Sequence, residues 1–249
     1  MRFRGLLLKE FKETRLQGLI FAVVLLFFGS SSVLMQKYIA KFVPENLAEA
    51  FQPSLAAGLA DFVGNSIQMG SIVAILITIS AVAGERERGT LELLLVRPVG
   101  RIQIILSKFL IRVIYVMGGS FVAGLLAWYY AIYLFQPFPL GKIVLSSLAI
   151  GANVSFVVGL TMIFSSWVSS KITAAFWSGG VALALAILPT LKSPYDLISP
   201  FKYGGIARES LLGDLGLAGY VGDFSLVMAF TIFCVALACF IFKKTEKID

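Results

Sequence analysis

Six stretches of the chain carry no Asp, Glu, Lys or Arg: residues 16–36, 62–84, 113–141, 143–170, 172–191 and 224–242. Each is rich in Leu, Ile, Val, Phe and Ala, and each is long enough to cross a bilayer as a helix, which takes about 20 apolar residues. The pattern predicts spans at about 16–35, 62–84, 113–134, 143–168, 172–190 and 223–242. A bundle of six such helices uses nearly all of residues 1–249, so the expectation is an all-α membrane protein with a single transmembrane domain and no soluble catalytic domain.

The polar intervals between these stretches have their own periodicity. In residues 2–15, Phe3, Leu7 and Phe11 recur every four positions with Leu6 beside them, while Arg2, Lys9, Lys12 and Glu13 fill the rest of the wheel. That arrangement predicts an amphipathic helix lying on the membrane surface before the first span. A signal peptide cut near Gly29–Ser32 is the competing reading, disfavoured by a long charged lead that contains two glutamates. The densest interior charge lies between spans two and three, in Gly84-Glu85-Arg86-Glu87-Arg88-Gly89-Thr90-Leu91-Glu92. Glu85–Arg88 should extend span two, with Glu85 and Arg88 spaced to pair. Gly89 suits a left-handed helix end, Thr90 can cap a new helix, and Glu92 suits its first turn. Leu91, Leu94 and Leu95 then share one face, and Pro98 closes the element.

Charge distribution sets the expected topology. Of 21 Lys and Arg, six (Lys37, Lys41, Lys142, Lys192, Lys202 and Arg208) fall in the intervals opposite the N-terminus, and the other fifteen fall on its side. By the positive-inside rule both termini are cytoplasmic. The net charge of +7 therefore follows membrane orientation and gives no reason to expect nucleic acid. Trp128, Tyr129, Tyr130 and Tyr133 mark the outer end of span three, and Gly118, Gly119 and Gly124 allow close helix contact within it.

Composition then removes whole classes of chemistry. With 58% hydrophobic and 14% charged residues the chain is unlike soluble domains, which carry about 25% charge. Histidine is absent, so His-dependent catalysis and the commonest metal ligand are both excluded. The two cysteines, Cys234 and Cys239, are spaced to face different sides of one helix and read as packing residues. No P-loop is present, and the predicted spans hold no ionisable residue at depth, as an ion-coupled transporter would require. No catalytic, cofactor or metal site is expected. Span four is the most polar, and its Asn153, Ser155 and Thr161 are candidates for a translocation path or for hydrogen bonds to a neighbouring helix.

The run from Gly84 to Val99, followed by Arg101-Ile-Gln-Ile-Ile-Leu-Ser-Lys-Phe109, resembles the permease subunits of ABC-2 type exporters, and Ser199-Pro-Phe-Lys-Tyr203 is similar to a stretch of their last outer loop. The resemblance implies a cytosolic coupling helix between spans two and three, an interfacial N-terminal helix, and transport out of the cell across the plasma membrane. It also implies two partners, a separate ATP-binding subunit that carries ATP and Mg, and a second permease, identical or related. Glu85, Arg86, Glu87, Arg88, Gly89, Thr90, Leu91, Glu92, Leu94 and Leu95 become the candidate contacts to the ATPase. Two other functions fit the same residues: a membrane anchor that recruits a cytosolic partner without transport, and an autonomous transporter or channel.

Overall fold

The computed structural model describes residues 3–39, 54–91, 100–190, 200–201, 204–213 and 216–245, and among them there is no β-strand. The helices are α1 (Phe3–Val24), which continues through a π-helical turn (Leu25–Ser30) into α2 (Ser31–Tyr38), then α3 (Leu55–Ile79), α4 (Ala83–Glu87), α5 (Arg101–Leu134), α6 (Leu140–Trp167), α7 (Lys171–Ile187), α8 (Gly205–Leu212) and α9 (Leu217–Thr245). Five continuous helical stretches are long and apolar enough to cross a membrane: Phe3–Tyr38, Leu55–Glu87, Arg101–Leu134, Leu140–Trp167 and Ala218–Thr245. The predicted fifth span corresponds to α7, an apolar helix of 17 residues.

The N-terminal segment differs from expectation. No separate surface helix precedes the first span, because α1 runs unbroken from Phe3 into the apolar stretch. Its buried stripe is Leu6, Glu10, Thr14, Gly18 and Phe21, whereas Phe11 of the predicted apolar stripe is 47% exposed. Leu6 is buried and Phe3 and Leu7 are half-buried as expected, and the departure is that Glu10 and Thr14 turn inward while Phe11 turns out. In a membrane the apolar face can turn to lipid, and the face with polar groups must find partners inside the protein. The π turn that follows brings Gly29 against Ser66 of α3 and lets Ser30 donate to the Ala123 carbonyl of α5 at 2.8 Å.

Helix α3 starts at Leu55, earlier than predicted, with the Ser54 hydroxyl accepting from the Ala57 amide at 3.4 Å. Asn65 does not sit idle near its start: it donates to Ser32 of α2 at 2.8 Å. In α5, Gly119 and Gly124 admit Phe21 and Ser147 where a methyl group would collide, while Gly118 faces open space. The predicted aromatic boundary forms at the end of α5, where Trp128 donates to the Phe138 carbonyl at 2.9 Å and Tyr129 stacks on Tyr133.

Helix α6 is the axis of the molecule. Its most apolar window is 83% buried, the highest among the spanning helices, and α3, α5, α7, α8 and α9 all pack on it. Phe201 and Gly204, just before α8, lie inside the bundle beside it. Ser146 donates to the Ala207 carbonyl at 2.7 Å, the Phe156 ring meets Phe201 edge to face, and Gly204 lies against Asn153. Asn153 is 13 residues along α6 from Leu140, so Gly204 meets that helix about 20 Å from its start at 1.5 Å per residue.

Candidate functional site

At the end of the bundle that holds the start of α1, α3 does not simply run on into the charged block. It stops at Ile79, turns through Ser80–Val82, and restarts as α4. The turn leaves amides without helical partners, and Ser165 near the end of α6 supplies what they need. Its hydroxyl accepts from the Val82 and Ala83 amides at 3.2 and 3.1 Å and donates to the Ile79 carbonyl at 3.1 Å. One hydroxyl has one donor and two acceptor positions, and all three are used here.

Helix α4 is fastened on its next face to the turn between α6 and α7. Arg86 donates to the carbonyls of Val168 and Ser166 at 2.6 and 3.2 Å, and Glu87 pairs with Lys171 at 3.4 Å on the surface. The helix ends at Gly89, which has φ +68°, the left-handed conformation expected of it. Thr90 caps backward rather than forward, donating to the Glu85 carbonyl at 3.2 Å. The expected Glu85–Arg88 pair is replaced by a deeper one.

Glu85 turns inward to Lys108 of α5. The Lys108 ammonium donates to Glu85 Oε1 at 2.6 Å and to Glu10 Oε1 of α1 at 2.5 Å. Arg112, one turn further along α5, lies 3.7 Å from Glu10 Oε2 and donates to the carbonyls of Ile77 and Lys108 at 3.2 and 2.8 Å. The Ile77 carbonyl is close to the end of α3, where a cation also complements the helix dipole. Glu10, Lys108 and Arg112 are each 2% exposed, and Glu85 is 9% exposed. Two acids and two bases thus cancel inside the protein and tie α1, the end of α3, α4 and α5 into one knot. A cavity of about 580 Å³ opens beside it, with Lys9, Glu13, Thr14, Gln17, Ser80, Arg88 and Thr90 completing its wall.

On the opposite side the block is held by apolar contact. Leu91 is 3% exposed and packs in a cluster with Val82, Ile105, Met162, Ala238 and Phe242, contributed by α5, α6 and α9. The same residue that shares the predicted docking face with Leu94 and Leu95 is therefore seated in this chain's own core.

The predicted block thus divides. Glu85, Arg86 and Leu91 face inward, while Glu87, Arg88, Gly89 and Thr90 are exposed. Glu92, Leu94 and Leu95 lie outside the described residues. The second candidate group is buried along α6: Asn153 and Thr161 are 0% and Ser155 is 1% exposed. Thr161 donates to the Val157 carbonyl at 2.8 Å, whereas the Asn153 amide and the Ser155 hydroxyl have no hydrogen-bond partner among the described residues. Sequence reasoning missed Glu10, Lys108, Arg112 and Ser165. A signal for the first was available, since Leu6, Glu10, Thr14 and Gly18 form an unbroken every-fourth stripe.

A family model described as ABC-2 family transporter protein matches residues 5–246, almost the whole chain. No curated protein matched in a sequence search. With 242 of 249 residues inside the family match and several apolar helices of spanning length around the charged block, the chain is a multi-pass membrane transporter component that belongs to the ABC-2 transporter family.

Proposed function

We propose that this chain is the permease subunit of an ATP-driven exporter in the cell membrane, with α7 completing a set of six spans and both termini cytoplasmic. ATP and Mg act on a separate ATP-binding subunit, and a second permease, identical or related, completes the pathway. The observation that carries this reading is the way residues 85–91 are fastened: to α1 and α5 through Lys108, to the α6–α7 turn through Arg86 and Glu87, and to α5, α6 and α9 through Leu91. A partner that displaced this block would move most of the bundle, which is what a drive unit located outside the membrane requires. The exposed Glu87 and Arg88, together with Leu94 and Leu95, supply the docking contacts, and Leu91 holds the block to the spans from within.

The translocated molecule is assigned to a route past α6. The unpartnered Asn153 amide and Ser155 hydroxyl supply hydrogen-bonding capacity there, and Thr161 lies on the same helix.

The test is purification of the tagged chain from native membranes, followed by an ATPase assay of what accompanies it. A stoichiometric P-loop ATPase is expected, lost in Leu94→Asp and Leu95→Asp variants that still insert into the membrane. A chain that comes down alone, or an ATPase that stays bound to both variants, overturns the reading.

A further inference from the structure

On the outside of the bundle, α5 and α9 run antiparallel and leave a groove of about 550 Å³ between them. Leu106, Phe109 and Leu110 line it from α5, and Ile232, Cys239 and Phe240 line it from α9, with Ala236 and Cys239 as short side chains that open the space. The lining is apolar except at one end, where it includes Lys243, and no carboxylate is among the described lining residues.

The dimensions match one leaflet. Ile232 and Lys243 are 11 residues apart on α9, about 16 Å along the helix axis. Half of a bilayer's hydrocarbon core is about 15 Å. The groove thus runs from the level of the lipid headgroups, at Lys243, to the middle of the membrane, at Ile232. Lys243, the one cation among the described lining residues, is exposed.

We propose that this groove is a binding site for an acyl chain of an anionic phospholipid whose phosphate is held by Lys243. The choice of occupant rests on the coincidence of three features: an apolar slot one leaflet long, a cation at the headgroup end, and no acid along the lining. A neutral lipid would fit the slot without offering the lysine an anion, which no described lining residue supplies, and a protein helix would have to bury that ammonium. The proposed topology makes this the cytoplasmic leaflet, where anionic lipids and basic residues near the surface attract one another. The groove shares its wall with the seat of the charged block, because Phe109 and Cys239 also pack against the cluster that holds Leu91. The occupied groove therefore supports that seat from the lipid side. The site is a property of the spans and the surrounding bilayer, independent of ATP-driven transport.

The test is photo-crosslinking of the full-length chain in nanodiscs of equimolar phosphatidylglycerol and phosphatidylcholine with identical acyl chains. p-Benzoylphenylalanine is placed in the groove at Leu106, in a second variant at Leu110, and as a control at Phe176 on the bare face of α7. Mass spectrometry of the adducts reads the lipid ratio. The groove positions are expected to capture phosphatidylglycerol about fivefold over phosphatidylcholine, the preference that one lysine near an anionic lipid supplies. Phe176 captures the two equally, and Lys243→Gln brings the groove positions to the same ratio. Equal capture in the groove of the unsubstituted chain, capture of a second copy of the chain instead of lipid, or a preference that survives Lys243→Gln overturns the proposal. So does the absence of lipid adducts at both groove positions when Phe176 yields them.

Discussion

Lys108 offers the sharpest test of how the charged block is held. Its ammonium lies within 2.6 Å of Glu85 and 2.5 Å of Glu10, and its side chain is 2% exposed. Replacing it with Met keeps most of the volume and removes the charge. Glu10 then keeps Arg112 at 3.7 Å, but the only cation that an ion pair brings to Glu85 among the described residues is gone. Removing one partner of a buried pair costs about 3–5 kcal/mol, chiefly because the other charge is left uncompensated. The Glu85 side chain is 12% exposed, but its Oε2 is buried with no hydrogen-bond partner among the described residues, so solvation offsets little of the loss and about 3 kcal/mol is the least expected for Lys108→Met.

The decisive comparison is the double variant. Glu85→Gln in the Lys108→Met background removes the stranded charge while Glu10 and Arg112 remain paired. Most of the loss, about 2 kcal/mol of it, should return, giving a coupling energy well above that of independent sites. The assay is an SDS titration in mixed micelles followed by the emission of the three tryptophans. A single variant within about 0.5 kcal/mol of the parent would refute the buried-pair reasoning. Additive losses in the double variant would show that Glu85 and Lys108 do not depend on each other.

Three further outcomes follow from the same geometry. Ser165→Ala leaves the Val82 and Ala83 amides without their acceptor, and the expected cost is about 2 kcal/mol in the same titration, with faster amide exchange at both positions. Glu87→Arg breaks only a surface pair with Lys171, 42% and 38% exposed, so stability should change by less than about 1 kcal/mol, while copurification of the ATP-binding subunit should fall. Asn153→Leu replaces a buried, unpartnered amide with an apolar side chain of similar size and should stabilise the chain by about 1 kcal/mol; if the amide serves passage, transport in membrane vesicles drops at the same time.

The spans were legible because hydrophobicity in a membrane protein is nearly one-dimensional information. An uncharged run of about 20 residues has few places to go. Helix ends were less so. Lys108 and Arg112 look like ordinary basic residues at the start of span three, and only the approach of α1 turns them into partners for Glu10 and Glu85. Ser165 is one of several polar residues in α6, and its role depends on a turn in α3 that local sequence does not announce. Leu91 is a further case, although Leu94 and Leu95 lie outside the described residues. Helical spacing places it with Leu94 and Leu95, yet the backbone reverses at Gly89 and sends its side chain into the protein. Periodicity identifies a face, and packing decides what that face meets.

The position of α6 explains how a displacement at one end of this molecule could be felt at the other. Ser165 ties it to the turn before α4, and Ser146 ties it to Ala207 of α8. These fixtures are 19 residues apart, about 28 Å along a helix whose own hydrogen bonds resist stretching. Between them lie Asn153 and Ser155, buried side chains without hydrogen-bond partners among the described residues. A rigid rod pinned at both ends carries tilt better than local distortion does. In the proposed exporter, motion of residues 85–91 would therefore reach α8 mainly through rotation of α6, and the polar groups at its middle would be the first to change their surroundings. An α6 held by only one of the two serines would lose that transmission while keeping its fold, which separates the lever from the scaffold.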